Sequence, residues 1–408
     1  MCGIRWKTTS AVDTAEVSFR CFEPPRILLA VRTFSHSYLH LPAHLVRAGF
    51  EVDLLACRGN PLLASRSVKR RWPVARDDAA FAALVRERLA TGEYAALQLV
   101  DEPALLAALG TAPATLPASY LPFTDPQLRS SVGRKANFYA WCDKHAVPTP
   151  STAIVQRWEE VESAAAAFGY PYLVKGDTGS GGQTVRFINS QADLDAARPA
   201  LALHGPWLVQ ERISGPTCAA LFAAHQGRLL GWFAVIKRVV LGSGRGPTLI
   251  GEICSPDEVE DICSRLCVLG GLNGLHGFDF MLSPEGRPLV IDPHLGRCTT
   301  MTHFGPLCGV DLGALWRDAL LGACRPAARP DSTGTVFLKF PELIEYFFER
   351  GLRQTFADLR PWRSRWTVGW GVPNEFPAIA LGSADIFVGK VRVAVGAIRR
   401  RYFPGARA

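Results

Sequence analysis

At 408 residues, 48% hydrophobic and 20% charged, the chain has length for two or three domains with sizeable cores and no low-complexity tract that would mark disorder. Its net charge of +8 sits in separate arginine clusters (Arg66 to Arg76, Arg360 to Arg365, Arg399 to Arg401) without any nucleic-acid-binding motif, a pattern that suits a solvated basic surface or anionic small molecules. The eleven cysteines form no CxxC pair, no apolar run reaches the roughly 18 residues of a membrane span, and no secretory h-region opens the chain, so a soluble cytoplasmic protein with reduced thiols is expected.

Residues 1 to 25 form a polar, weakly patterned lead, either disordered or a mis-assigned start. Its Met1-Cys2-Gly3-Ile4 resembles the start of class II glutamine amidotransferases, but too little chain follows before the first α/β unit to build that domain. From Arg26 the pattern sharpens. Ile27 to Val31 reads as a buried strand, Tyr38 to Ala48 as a helix closed by Gly49, and Glu51 to Ala56 as a second strand. That βαβ order implies parallel strands in a doubly wound layer. Ala79 to Ala90 continues it as a helix and Tyr94 to Val100 as a strand. No GxGxxG follows the first strand, so a dinucleotide site is not supported. Pockets in such layers open beyond the carboxyl ends of strands, where Arg32, Ser35, His36 and Asp101 fall. Singly, each reads as ordinary loop chemistry.

The Pro-rich stretch from Pro117 to Pro126 marks a boundary. A helix is predicted over Lys135 to Lys144, another over Glu159 to Phe168, and a strand over Pro171 to Lys175. The glycine-rich loop Gly176 to Gly182 then returns into a strand from Thr184 to Ile188. Strand, flexible loop and returning strand make a flap whose backbone N–H groups can close over phosphates, with Lys175 as the point cation at its mouth. It is not a Walker loop, since neither Lys-Ser/Thr nor a helix follows. Asp193 to Leu203 reads as a helix, Trp207 to Ile213 and Leu229 to Val240 as strands, and Gly242 to Gly246 with Arg245 as a second glycine-rich loop. Ser255-Pro256-Asp257-Glu258 has the form of a capping box, and Val259, Ile262, Cys263, Leu266 and Cys267 give the helix after it one apolar face.

Two apolar runs, Leu275 to Leu282 and Pro288 to His294, flank the turn Ser283 to Gly286 and predict a hairpin. A turn centred between Glu285 and Gly286 sets Asp279 opposite Asp292, with Cβ atoms roughly 5 Å apart. His294 projects from the same face, two residues on. Carboxylates that close repel unless a cation lies between them or one is protonated. Asp311 to Leu321 is a further helix. Beyond Pro330, Phe337 to Phe348 is strand or helix, Arg360 to Trp370 irregular, and Ile386 to Arg401 a basic amphipathic helix that packs on its own protein or lies on a membrane surface.

A small α/β layer, a lysine, a Pro-Thr-Pro turn, the flap VKGDTGSGG, the strand VQERISG, a further lysine and a paired-acid hairpin occur in the order of the ATP-grasp superfamily. Over roughly residues 26 to 325 the chain resembles D-alanine–D-alanine ligase, biotin carboxylase and the carbamoyl phosphate synthetase large subunit. The resemblance implies an α/β and α+β architecture: a doubly wound pre-ATP-grasp layer (26–122), a two-subdomain ATP-grasp fold (123–325, lid about 150–205) and a C-terminal extension (330–408). It implies an ADP-forming ligase using ATP and Mg²⁺ or Mn²⁺, activating a carboxylate as an acyl phosphate for attack by an amine, or less often a thiol. An ATP-binding but inactive regulator or scaffold is the alternative. Expected partners are small-molecule carboxylates and amines, with no specific nucleic acid and a homo-oligomer left open.

Residue by residue, the resemblance puts Lys135 and Lys175 on the phosphates, Gly179, Gly181 and Gly182 in the lid, and Gln210, Glu211 and Ile213 at the adenine. Asp279 and Asp292 correspond to the metal-bridging acids, and Lys237 to a further phosphate lysine found in some members. Three positions depart from the pattern. Thr217 replaces the usual ribose-binding glutamate. Asp292-Pro293-His294 replaces the Glu-x-Asn metal pair, and imidazole suits Mn²⁺ better than Mg²⁺. Gly277 replaces a customary arginine, for which Arg297 is the substitute as oxyanion or substrate partner.

Overall fold

The computed structural model describes residues 23–110, 116–179, 182–201, 205–242, 246–297, 300–362, 366–369, 375 and 377–384. Cys2, Gly181, Arg245 and the basic segment from Ile386 to Arg401 lie outside them. Among the described residues no helix is long and apolar enough to cross a membrane.

The chain begins with β1 (Arg26–Val31), α1 (Leu41–Arg47), β2 (Glu51–Cys57), β3 (Arg71–Val74), α2 (Asp78–Leu89), β4 (Ala96–Leu99) and α3 (Glu102–Gly110). The four strands are parallel in the order β3-β2-β1-β4. Ile27 through Val31 are buried in an unbroken apolar run, as expected of a strand covered on both faces. The helix predicted from Tyr38 starts only at Leu41, and His36–Tyr38 is a separate 3₁₀ turn. Pro42 explains this, because proline is tolerated only in a helix's first turn.

Next come α4 (Pro126–Ser130), α5 (Lys135–Lys144), β5 (Thr152–Val155), α6 (Val161–Ala165), β6 (Tyr172–Gly176), β7 (Val185–Ile188), α7 (Gln191–Leu201) and β8 (Trp207–Glu211). The strands form an antiparallel sheet, β5-β8-β6-β7, packed against α6 and α7 through Val161, Leu194, Leu201, Val174 and Val209. The helix expected over Glu159 to Phe168 is reduced to α6, preceded by a 3₁₀ turn that Glu160 closes onto Arg157.

The largest sheet holds β9 (Thr217–His225), β10 (Arg228–Val240) and β11 (Thr248–Cys254), then, after α8 (Val259–Gly270), β12 (Gly274–Leu282) and β13 (Pro288–Pro293). After α9 (Leu312–Leu320), β14 (Val336–Lys339), α10 (Glu342–Leu359) and β15 (Trp366–Gly369) complete the described elements. The strand order is β13-β12-β9-β10-β11-β14-β15. The apolar face predicted for α8 is buried at all five positions, but the capping box is absent. Pro256 instead sits in a turn closed by the Val259 N–H, and the Glu258 carboxylate faces Arg287 at 3.3 Å.

Two segments past residue 330, β14 and β15, are thus part of the largest sheet, since β14 pairs with β11 and β15 with β14. The stretch read as irregular after Arg360 supplies β15. A buried ion pair anchors this segment to the N-terminal layer: Lys339 Nζ lies 2.5 Å from Glu342 Oε1, and Ser37 donates to the same oxygen at 2.6 Å. Such a pair is tolerated in the interior because the two opposite charges meet directly, although Glu342 Oε2 is buried with no hydrogen-bond partner among the described residues.

Candidate active site

The acidic hairpin forms, and Asp279 stands opposite Asp292 as the sequence predicts, but by another route. The turn centres on Glu285, with Ser283 N–H donating to Arg287 O at 2.9 Å. From there Leu282 pairs with Pro288, Met281 with Leu289 and Phe280 with Val290. Continued, that register would put Asp279 opposite Ile291 and send the Asp292 side chain to the other face. A β-bulge after the Phe280–Val290 pair inserts Ile291 and restores the match. His294 returns to the same place: its N–H donates to Gly277 O at 2.8 Å and its Nε2 lies 3.5 Å from Asp279 Oδ1. One ligand atom from each of Asp279, Asp292 and His294 falls within 4.8 Å of the others.

Lys237 reaches this group from β10. Asp279 pairs with Ala219 on β9, and Ala219 with Val235, so Lys237 shares their face two residues along. The short Ala219 side chain leaves a path across β9, and Lys237 Nζ meets Asp279 Oδ2 at 2.5 Å. Burial pushes the Asp279 carboxyl upward, but the Lys237 charge and then the His294 imidazole outweigh it and hold the group below the usual carboxylate range.

Lys175, near the end of β6, is only 6% exposed. Its ammonium lies over the Tyr139 ring, 5.7 Å from the centroid, and 3.4 Å from the hydroxyl. Tyr139 in turn donates to Ile291 O at 3.0 Å, tying α5 to the bulged residue. Burial, opposed by the charge of Asp292 and reinforced by Lys135, brings the Lys175 ammonium down to about 8. Lys135 opens α5 and donates to Gly179 O at 2.5 Å, so it holds the glycine loop from the opposite wall.

Residues the sequence did not single out set these positions. Asp177 accepts from Ala136 N–H at 2.8 Å, and its backbone carbonyl from Lys135 N–H at 3.0 Å, capping α5 from a distant loop. Nothing in its local sequence separates it from an ordinary loop acid. His276, fully buried and driven down to about 3 by that burial, accepts at Nδ1 from Gly296 N–H and fixes the turn that leads to Arg297.

A cleft of about 370 Å³ between the β5-β8-β6-β7 sheet and the large sheet gathers most of the predicted residues. Lys135, Lys175 and Lys237 line it with Gly179 and Gly182 of the loop. Asp279 and Asp292 lie at one side; Gln210 and Glu211 at the end of β8, Ile213 just after it and Thr217 at the start of β9 lie beside the apolar walls of Leu173, Phe187 and Met281. Glu211 is pinned through its N–H and carboxylate to Ser151, and Thr217 donates to Met281 Sδ at 3.2 Å. Arg297 is not in this cleft. It lines a side pocket of about 50 Å³ that shares Lys135, Gly179 and Asp292 with it. At the end of the N-terminal layer, Arg32 pairs with Asp78, and Asp101 accepts from the Arg32, Thr33 and Ala104 N–H groups, so both are engaged in holding loops.

Residues 132–293 match the family model of the ATP-grasp domain. No curated protein matches the chain. Solved structures with the same fold include an L-amino acid ligase from Bacillus licheniformis, 18% identical, TM-score 0.52, covering 73% of this chain and 75% of that one. N5-carboxyaminoimidazole synthase from Aspergillus clavatus, in complex with ADP and 5-aminoimidazole ribonucleotide, is 14% identical with TM-score 0.59, covering 76% and 81%. The biotin carboxylase domain of Hydrogenobacter thermophilus 2-oxoglutarate carboxylase, in complex with MgADP, ADP and bicarbonate, is 14% identical with TM-score 0.55, covering 76% and 73%. The resemblance drawn from the order of sequence elements holds: the chain has an ATP-grasp domain and fold.

Proposed function

We propose that this ATP-grasp chain is an ADP-forming ligase that uses ATP and a divalent cation to activate a carboxylate as an acyl phosphate, which an amine then attacks to form a C–N bond. The observation that carries the proposal is the convergence of three lysines and two carboxylates on one cleft beneath a glycine loop, with the His294 imidazole grouped beside the two carboxylates. Lys135 and Lys175 hold the phosphates, and Lys237 stabilises the transferred group once a cation replaces it at Asp279. Asp279, Asp292 and His294 fit a divalent ion by donor type and spacing; bound there, the ion neutralises phosphate charge. The imidazole favours Mn²⁺ over Mg²⁺. The hinge strand from Gln210 to Ile213 receives adenine, with Thr217 beyond it toward the ribose, and the loop through Gly179 and Gly182 keeps water from the acyl phosphate. Arg297, beside Asp292, orients the carboxylate. The free cysteines among the described residues suit a reducing cytoplasm.

Thermal unfolding with ATP plus Mg²⁺ or Mn²⁺ tests this. A ligand at 100 times its Kd adds about 2.7 kcal/mol, so a metal-dependent shift is expected for the wild type and none for Lys175→Ala. No shift with either metal would refute the nucleotide site. His294 and Thr217 favour a second reading, an ATP-binding regulator without ligation; a shift without ADP formation from any carboxylate and amine would select it.

A further inference from the structure

Helix α10 carries more apolar surface than the protein covers. Tyr346 and Leu359 join Ile250 and Leu338 in one buried cluster, which accounts for its inner side. Away from that side, Phe347 is 36% exposed, Phe348 40%, Leu352 60% and Phe356 67%. Among the described residues thirteen large apolar side chains are this open, and four of them fall within these ten residues. Such clustering marks an interaction surface, whereas isolated exposed residues need no explanation. Gly351, with φ 75°, bends the helix between the two pairs. Before it the Phe347 and Phe348 rings meet edge to face at 5.6 Å, and after it Leu352 and Phe356, four residues apart, share one face. Arg350 and Arg353 are exposed beside them, as is Arg360, seven residues past Arg353 and so on the same side. The acids of α10 are engaged elsewhere. Glu342 meets Lys339, Glu345 faces His36, Glu349 accepts from the Gly242 N–H at 3.1 Å, and Asp358 accepts from the Tyr346 hydroxyl at 2.6 Å. The arginines therefore set the charge of the outer side.

The chain past residue 384 repeats this chemistry. Its 24 residues hold six basic side chains, Lys390, Arg392, Arg399, Arg400, Arg401 and Arg407, against one acid, Asp385, and its sequence over 386–401 predicts a basic amphipathic helix. It leaves the described residues next to α10: a Cβ on Gly382 would lie 3.3 Å from His36 Nε2, and the same His36 ring faces Glu345, in the first turn of α10, at 3.8 Å. A nucleic acid would take up the arginines and leave Leu352 and Phe356 in water, while an apolar protein surface would cover those two and leave the guanidiniums unmatched. The boundary layer of an anionic bilayer takes both, its acyl chains receiving the apolar side chains and its headgroup phosphates the guanidiniums. We propose that the protein docks on anionic lipid membranes as a peripheral protein, through the open side of α10 and the basic chain that follows residue 384. The two parts act together, because one shallow apolar element holds weakly and stable attachment takes a second signal, here the arginine cluster. The inference stands on surface chemistry and is independent of the ligase reading.

Cosedimentation of the full-length protein with lipid vesicles tests this. Vesicles of phosphatidylcholine with about 30% phosphatidylserine are expected to retain the wild type about ten-fold more strongly than phosphatidylcholine alone, and less so as salt rises from about 0.1 to about 0.5 M. The double variant Leu352→Glu/Phe356→Glu and, separately, the triple variant Arg399→Glu/Arg400→Glu/Arg401→Glu are each expected to lower the partition to anionic vesicles by about ten-fold or more. Leu352 and Phe356 are mostly exposed, so an unchanged thermal midpoint is expected and verifies folding. The two variants change different segments, so a folding failure in one leaves the other as the test. Wild-type protein left in the supernatant with anionic vesicles, or binding unchanged in either folded variant, would overturn the proposal. A lipid-free dimer in light scattering that Leu352→Glu/Phe356→Glu dissociates would also overturn it, by assigning the face to a second copy of the chain.

Discussion

Lys175 stands in the native state with a charge that burial disfavours, and this has a measurable cost. The gap between the ordinary lysine value of 10.5 and about 8, at roughly 1.4 kcal/mol per pH unit, amounts to about 3 kcal/mol in the nucleotide-free protein. Lys175→Met keeps the length of the side chain and removes the charge. At pH 7 it should therefore unfold at a higher temperature than the wild type by several degrees, at about 2–4 °C per kcal/mol in domains of this class, while losing stabilisation by ATP and metal. The sign with pH follows from proton counts. Between pH 8 and 10.5 the unfolded chain holds a proton on Lys175 that the native protein has released, so wild-type stability rises with pH across that window. The destabilisation is complete below pH 8 and gone above 10.5, and the variant's advantage should shrink through the same interval. Thermal scans of both proteins at pH 7, 8, 9 and 10 measure it. A Lys175→Met protein less stable than the wild type at pH 7, or a difference independent of pH, would refute the account of Lys175 as a strained cation held for a phosphate.

Nucleotide affinity should weaken above pH 8 as Lys175 loses its proton, with proton uptake on binding visible in calorimetry as a dependence of heat on buffer. Gly179 has φ +105° and a Cβ there would lie 2.9 Å from Thr184 Cγ2, so Gly179→Ala should distort the loop and weaken ATP binding about ten-fold, roughly 1.4 kcal/mol, in a titration. His294→Asn replaces the imidazole with an amide oxygen and should move the metal preference from Mn²⁺ toward Mg²⁺, read both by thermal shift and by Mn²⁺ paramagnetic resonance. An unchanged preference in both readouts would place His294 outside the coordination shell.

Much of the candidate site's geometry was legible because its residues sit in short-range patterns. The lysine ending a strand, the glycine loop and the two acids of one hairpin are local signals, and the cleft unites them. What escaped depended on partners far along the chain. Asp177 caps α5 across 41 residues, Glu102 meets Arg297 from the other side of the N-terminal layer, and Tyr139 backs Lys175 only after folding. The strand β9 escaped for another reason: Thr217–His225 is buried along its interior on both faces, so no alternation marks it. The pairing of Asp279 with Asp292 was reached from a turn one half-step out of place, and the bulge at Ile291 cancels that error. No local sequence signal specifies such a bulge.

The way β14 closes onto β11 bears on how this protein can be divided. The stretch matching the ATP-grasp family ends at residue 293, yet β11 lies inside the sheet only because residues beyond 330 pair with it. A fragment cut to the matched region would expose the backbone of β11 as a bare edge, together with the apolar faces that α9 and α10 cover, and such edges recruit other chains. The same cut would orphan Ser37 in the N-terminal layer if that layer were kept, since its acceptor Glu342 lies in the removed segment. Heritable units defined by sequence likeness and units able to fold by themselves are different lengths of this polypeptide, and fragments for expression should be drawn along the second.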